Sequence, residues 1–173
     1  MKIKMKIKIL AIIFLSLIVI STTSFAVSIN INQNLKKTDE GAPDISWEYN
    51  FGGELRDYGM DGLETNDGYI IVGNYAEGEK GWVIKTDLEG NIILDQKYGT
   101  TDTNYFRKVI DLDDGYLIGG SSYSQTDTSR DFWVVKIFED GSIDWSKKYG
   151  YQNSLDLFSD FTKSADGGYV LIG

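Results

Sequence analysis

Asp67-Gly-Tyr-Ile-Ile-Val-Gly73, Asp114-Gly-Tyr-Leu-Ile-Gly-Gly120 and Asp166-Gly-Gly-Tyr-Val-Leu-Ile-Gly173 are three versions of one short phrase. Each is an apolar run rich in β-branched and aromatic residues, held between glycines, which reads as a short strand entered from a tight turn. The Asp-Gly and Gly-Gly pairs stand where a hairpin reverses with positive φ, a conformation glycine adopts without steric cost. Because apolar residues follow one another instead of alternating with polar ones, the strand is expected to be buried on both faces.

Working outward, Trp82-Val-Ile-Lys-Thr-Asp-Leu-Glu-Gly90 returns as Trp133-Val-Val-Lys-Ile-Phe-Glu-Asp-Gly141, 51 residues later. Ile45-Ser-Trp-Glu-Tyr-Asn-Phe-Gly52, Ile92-Ile-Leu-Asp-Gln-Lys-Tyr-Gly99 and Ile143-Asp-Trp-Ser-Lys-Lys-Tyr-Gly150 form a third set, spaced by 47 and 51 residues. Three segments in one register define a repeat with a period near 50 residues, the length of a propeller blade or a similar array unit. Strands are predicted over 82–86 and 132–138, and again in the Ile-x-Trp or Ile-x-Leu segments that follow the Glu-Gly-Asn and Asp-Gly-Ser turns. A less regular segment before each Asp-Gly, holding Leu63, Val109 or Phe161, supplies a fourth. The expected fold is therefore all-β, built of antiparallel four-stranded repeats, as a β-propeller of which residues 44–173 cover about two and a half blades, the third incomplete. A β-solenoid is the alternative, although the period is long for one of its coils.

The amino-terminal residues read differently. Lys2, Lys4, Lys6 and Lys8 precede an apolar stretch from Ile9 to Ile20, and Ser24-Phe25-Ala26 places small residues at the −3 and −1 positions of a cleavage site. Residues 1–26 are thus expected to be a secretory signal peptide, since the apolar stretch falls short of the ~20 residues that cross a bilayer. Residues 27–43 are polar and aperiodic and read as a linker. The expected location is extracellular or in the cell envelope, with no membrane insertion after cleavage.

Residues 27–173 carry 13 basic against 26 acidic side chains, a formal charge of −13. Such a surface repels phosphate backbones and anionic headgroups, which excludes nucleic acid as an expected partner. The chain has no Cys and no His, so disulfides, thiol nucleophiles, imidazole bases and the usual zinc ligands are all missing from it.

The remaining candidates are few. Asp111-Leu-Asp113-Asp114-Gly115 has the closely spaced carboxylates of an opening calcium loop, but lacks the closing Glu of an EF-hand. Asp111, Asp113 and Asp114 are accordingly the one candidate calcium set, against the simpler reading of a solvated turn. Two carboxylates suffice for glycoside hydrolysis, and Asp57, Asp61, Glu64, Asp156 and Asp160 are acids expected to stand outside the repeat. Trp47, Trp82, Trp133 and Trp145 invite stacking on sugars; Trp82 and Trp133 share one repeat position and Trp47 and Trp145 another, where the middle repeat has Leu94, and that replacement favours packing. Tyr69, Tyr116 and Tyr169 read the same way. Lys85 and Lys136 either line a channel or lay their stems over an aromatic ring and reach water, the latter being expected.

The Asp-Gly-Tyr strand, Asp131-Phe-Trp-Val-Val-Lys136, Asp140-Gly-Ser-Ile-Asp-Trp145 and Tyr149-Gly150 together resemble the repeats of secreted propeller-like proteins. They are similar to the delta-60 repeat and, more distantly, to kelch and quinoprotein-type blades, departing in the Tyr after Asp-Gly and the Trp-x-x-x-Tyr-Gly ending. The resemblance spans residues 44–173 and implies a fold and an extracellular role, with no site residue carried over. The expected function is a non-enzymatic recognition or scaffold module. Its partners would be extracellular proteins or glycans, and its uncovered sheet faces would be open to self-association. The alternative is part of a glycosidase, lyase or quinoprotein whose catalytic residues lie outside the visible repeats.

Overall fold

The computed structural model describes residues 48–77, 79–126, 128–151 and 153–173. The described strands all fall within the compact unit Phe51–Gly173. The expected signal peptide (1–26), the linker (27–43) and Trp47 lie outside the described residues.

Strands β1 (Tyr58–Glu64), β2 (Gly68–Tyr75), β3 (Lys80–Asp87) and β4 (Ile92–Tyr98) form one sheet in that order. Strands β5 (Thr103–Leu112), β6 (Gly115–Tyr123), β7 (Arg130–Ile137) and β8 (Ile143–Tyr149) form a second, and β9 (Asp160–Lys163) pairs with β10 (Tyr169–Ile172) in a third. Every ladder is antiparallel and joins strands adjacent in the chain. The protein is all-β, and the fourth strand expected around Leu63, Val109 and Phe161 is present as β1, β5 and β9. Glu48–Gly52, which align with the ends of β4 and β8, carry no strand.

The two full sheets repeat each other down to their irregularities. The β1–β2 register slips between Gly59 and Asp61, and the β5–β6 register slips between Phe106 and Lys108, 47 residues further on. A second slip lies between Lys85 and Thr86 in β3–β4, and recurs between Lys136 and Ile137 in β7–β8, 51 residues further on. A bulge adds one residue to a strand and so reverses which face its later side chains take. That is how Phe106 and Val109, an odd number apart, enter the same core.

The glycine closing each Asp-Gly strand has one physical reason. Gly73, Gly120 and Gly173 press against the carbonyl oxygens of Tyr58, Tyr105 and Leu157, at the same place in the three repeats, and a methyl on any of them would overlap that oxygen. The glycines opening the strand are less uniform than expected. Gly115 and Gly167 do take positive φ, of 138° and 86°. Gly68 does not, and is required because a side chain there would collide with the Thr86 carbonyl.

Side chains fill two successive layers between the sheets. In the first, Ile70, Val72, Val83 and Tyr98 from one sheet meet Phe106, Tyr116, Ile118, Trp133, Val135 and Ile137 from the next. Phe106 stacks on Trp133 with ring centroids 4.7 Å apart and planes 14° from parallel. In the second, Leu117 and Val134 pack on Phe158 and Phe161. Strand β6 is consequently buried on both faces, as its unbroken apolar run demands, whereas β2 alternates buried with half-buried residues and β10 is mostly exposed.

Gly120→Ala should destabilise the protein by about 1–3 kcal/mol, the usual cost of forcing a methyl into a closed space. Urea unfolding measures it against Glu64→Gln, an exposed change expected to stay within about 0.5 kcal/mol.

Candidate functional site

An antiparallel meander sends its connections alternately to two opposite edges. One edge carries the tight turns 65–67, 88–91, 113–114, 138–142 and 164–168, and the other the connections from β2 to β3, β4 to β5, β6 to β7 and β8 to β9.

At the turn edge, aspartates serve the backbone. Asp87 Oδ1 accepts the amides of Glu89 and Asn91 at 3.0 and 2.8 Å, and Asp166 Oδ1 accepts that of Gly168 at 3.1 Å. Hydroxyl donors from Thr65, Ser142 and Ser164 hold the carboxyls of Asp67, Asp140 and Asp166 below their ordinary pKa, and the Asn91 side chain does the same for Asp87. The calcium candidates do not converge. Asp113 and Asp114 form the turn between β5 and β6, Asp114 pairs with Lys136 at 2.7 Å, and Asp111 lies on β5 with its carbonyl accepting Lys163 Nζ at 3.3 Å. Among the described residues no group of three or more Asp, Glu, His or Cys is placed to hold a metal ion.

Between the first two sheets the turn 138–142 reaches across to its neighbour. Glu139 accepts from Lys85 and, at 2.9 Å, from the Tyr116 hydroxyl, while Tyr98 donates to the Gly141 carbonyl at 2.7 Å. The Lys85 side chain is only 7% exposed, pairs also with Asp67 at 3.4 Å, and lies 5.6 Å from the centre of the Tyr116 ring. It packs over an aromatic ring between sheets, and Lys136, paired with Asp114 and Asp144, holds the same place in the second sheet. Burial alone would lower the Lys85 pKa, but Glu139 and the Tyr116 hydroxyl outweigh it and hold the ammonium above its ordinary value.

The same position between the second sheet and β9–β10 is open, a groove of about 600 Å³ whose lining includes Asp113, Asp114, Lys136, Trp145, Lys163 and Tyr169 together with Leu112 and Leu117. Among the described tryptophans, Trp145 is the one that lines it. Trp82 and Trp133 are buried, their indole N–H groups donating to Asp95 at 2.6 Å and Ser146 at 2.8 Å.

At the loop edge, the acids expected to stand outside the repeat turn out to lie on it. Asp57, Asn104 and Asp156 each directly precede the residue whose carbonyl meets the repeat glycine. Asp57 is 3% exposed and accepts the amides of Gly53 at 2.6 Å and Ala76 at 2.8 Å, fastening two loops. Asp156 does similar work at Tyr151 and Ser154. Asp61, Lys108 and Asp160 share the next repeat position, and Lys108 lies 3.5 Å from Asp61 and 3.9 Å from Asp160. Asp61 also accepts the Val109 amide at 3.0 Å, beside the bulge. Glu64 ends β1, exposed. These contacts set Asp57, Asp61, Asp156 and Asp160 against amides, a hydroxyl or a lysine. The sequence signal for the first set was present, as an aromatic-Gly pair followed five or six residues later by Asp or Asn.

Among the described residues the non-glycine positions with left-handed backbone, Glu79, Thr128 and Asn153, lie in loops of this edge, which also has Gly99 at positive φ, whereas the turn edge places glycines 90, 115, 141 and 167 at such positions. Tyr151 stands 82% exposed there, with Leu155 and Leu157 nearby in sequence and also exposed. Backbone held in a disfavoured region is typical of contact and ligand loops.

No protein-family model and no curated protein matches this chain. The functional reading therefore rests on its own geometry.

Stability should hold from about pH 5 to pH 9 and fall on either side. Burial first, and then the charge of Asp140, pushes the Tyr98 hydroxyl up to about 12, and burial with the Glu139 hydrogen bond does the same for Tyr116. A group whose folded pKa is raised contributes fully below its unfolded value and loses that contribution as pH rises through the folded one, so both tyrosines weaken the fold above about pH 10. The depressed carboxyls of Asp67, Asp87, Asp140 and Asp166 act oppositely, contributing above about pH 4 and failing as pH falls below it. Urea midpoints from pH 3 to 11 measure this, and the combined Tyr98→Phe and Tyr116→Phe variant should flatten the alkaline decline.

Proposed function

We infer that this chain is a β-propeller-type repeat module, exported from the cell, that acts as a non-enzymatic recognition or scaffold surface, with the loop edge as its contact face. The observation that carries the architecture is the stacking of equivalent antiparallel meanders face to face, sharing the same bulges and the same glycine contacts. Coils of a solenoid continue one another's sheets through parallel ladders. Among the described residues the parallel pairing is one isolated bridge, from Arg130 of β7 to Leu155 in the connection before β9. Side-chain layers hold the sheets together instead, the arrangement of propeller blades.

Recognition is supported by the contrast between the two edges. The turn edge is short and internally bonded, while the loop edge combines longer connections, strained backbone and exposed Tyr151, Leu155 and Leu157. The net charge of −13 over residues 27–173 directs the contact toward neutral or basic extracellular surfaces.

The test pairs a binding assay with an activity screen. Purified protein presented to arrays of extracellular proteins and polysaccharides should bind saturably. Tyr151→Ala should weaken that binding about tenfold, ~1.4 kcal/mol, while leaving the urea midpoint in place. Turnover of polysaccharides, or of alcohols with an added quinone, would overturn the non-enzymatic reading.

A further inference from the structure

Glu79 and Arg130 stand at the same place, 51 residues apart, where the third strand of each full sheet begins. Their backbones do the same work. The Glu79 carbonyl accepts the Asn104 amide at 2.9 Å and the Arg130 carbonyl accepts that of Asp156 at 2.6 Å, so at both places the chain is tied to this residue on its way to the next unit. Their side chains fare differently. The Glu79 carboxylate accepts the Thr103 hydroxyl, whereas the residue in the place of Thr103 beside Arg130 is Leu155, which has no polar side chain to offer.

The guanidinium is therefore left over. Arg130 Nε is buried and, among the described residues, has no hydrogen-bond partner, and every ion pair found there is made by a lysine. Of the described acids beside it, Asp156 is taken by the Tyr151 amide and the Ser154 hydroxyl, and Asp131 leaves the other face of β7 with its Oδ1 beside Gly150. A buried donor without an acceptor is costly, and more so on a charged group. The terminal nitrogens are not closed off as Nε is, so the outer fork of the guanidinium is the side that a ligand can reach.

Two tyrosines surround this fork. The guanidinium carbon lies 5.5 Å from the centre of the ring of Tyr123, its cross-strand neighbour. Tyr105 shares the neighbourhood: burial first, and then Glu79, raise its hydroxyl pKa, and the Arg130 charge pulls it back. All three side chains are half-buried, and each tyrosine brings a hydroxyl that can donate. In the first interface the strand of the second sheet packed against β3 is β5. Its counterparts beside β7 are β9 and the connection ahead of it, both present, so the guanidinium is unmatched with its covering elements in place.

We propose that Arg130, with Tyr123 and Tyr105 around it, is a carboxylate-binding subsite of the loop edge, and that its ligand is a carboxylate carried singly by a polypeptide. A guanidinium held against an aromatic ring presents a planar fork of donors that matches a carboxylate. The net charge of −13 over residues 27–173 repels polyanionic chains such as polyuronates, whereas a lone carboxylate among neutral or basic residues meets no such barrier. The subsite rests on the loop edge being a contact face, and adds the chemistry of what is held there.

Residues 27–173 contain three arginines, Arg56, Arg107 and Arg130, so their side-chain Nε–Hε signals in nitrogen-labelled protein are assigned with Arg56→Lys and Arg107→Lys. The probes are N-acetylglutamate N-methylamide for a side-chain carboxylate, N-acetylglycine for a chain-terminal one, N-acetylglutamine N-methylamide as the neutral control, and glucuronate. The Arg130 signal should move saturably with one of the two amino-acid carboxylates, half-complete on the order of 10 mM, while those of Arg56 and Arg107 stay; which probe is the tighter identifies the source. Arg130→Gln should abolish the accompanying shifts of neighbouring backbone amides and leave the urea midpoint in place. No saturation up to about 100 mM, equal movement of Arg56 or Arg107, an equal response to the glutamine amide, or amide shifts that persist in Arg130→Gln overturns the subsite. Tighter binding of glucuronate than of both amino-acid probes reassigns it to sugars and overturns it as well. Binding of extracellular partners that Tyr151→Ala weakens and Arg130→Gln does not would overturn the subsite alone and leave the contact face standing.

Discussion

Everything in this molecule depends on one sheet lying against the face of the next. A lone meander of these sequences has two apolar faces and no means of covering both, and isolated small sheets are marginal in water. Stacking resolves this by letting each sheet serve as the cover of its neighbour. Ile70, Val72, Val83 and Tyr98 of the first sheet meet Phe106, Tyr116, Ile118, Trp133, Val135 and Ile137 of the second across that contact, and Phe106 stacks on Trp133 within the second sheet. The bulges near Met60 and Arg107 exist within this constraint, since without the shift at Arg107 the alternation of β5 would turn Val109 away from the layer that holds Phe106. Gly73 and Gly120 follow in turn, because the strand that carries the bulge brings its carbonyl so near that no side chain fits.

Polar groups are arranged around the same contact. Lys85 is held between sheets by a carboxylate from each, Asp67 of its own and Glu139 of the next, and its stem lies over Tyr116. Both acids are more than half exposed, so screening by water keeps the ionic contribution far below that of a fully buried pair. Its value is in register: the turn that carries Glu139 also seats Gly141 under Tyr98, and the two contacts together fix how far one sheet slides on the other. Asp61 and Lys108 tie the first strands together in a comparable way.

The sequence made the repeat, the strand count and the strand order legible because each rests on local pattern: glycine-bounded apolar runs, Asp-Gly turns and tryptophans at one spacing. Trp82 and Trp133 share one repeat position and are buried, whereas Leu94 stands at the other, that of Trp47 and Trp145, and Trp145 lines the groove. Other features were not local. Gly68 looks like a turn glycine in sequence, and only the approach of Thr86 from the neighbouring strand reveals a steric reason. Asp57, Asp61, Asp156 and Asp160 looked like stray acids because the repeat length changes from 47 to 51 residues and then again within the third unit, hiding their common register. The groove beside Trp145 and the cluster around Lys85 each join residues more than 20 positions apart, which no motif spacing announces.

The central claim is that sheets cover one another, and native-state hydrogen exchange of the backbone amides tests it most directly. Protection should be greatest in β6 and its neighbour β7, which the stack covers most fully, lower in β2, and least in β10, with differences of at least tenfold between β6 and β10. Equal protection of β6 and β10, or slower exchange in β10 than in β6, would contradict the stacked arrangement from which the rest of the account follows.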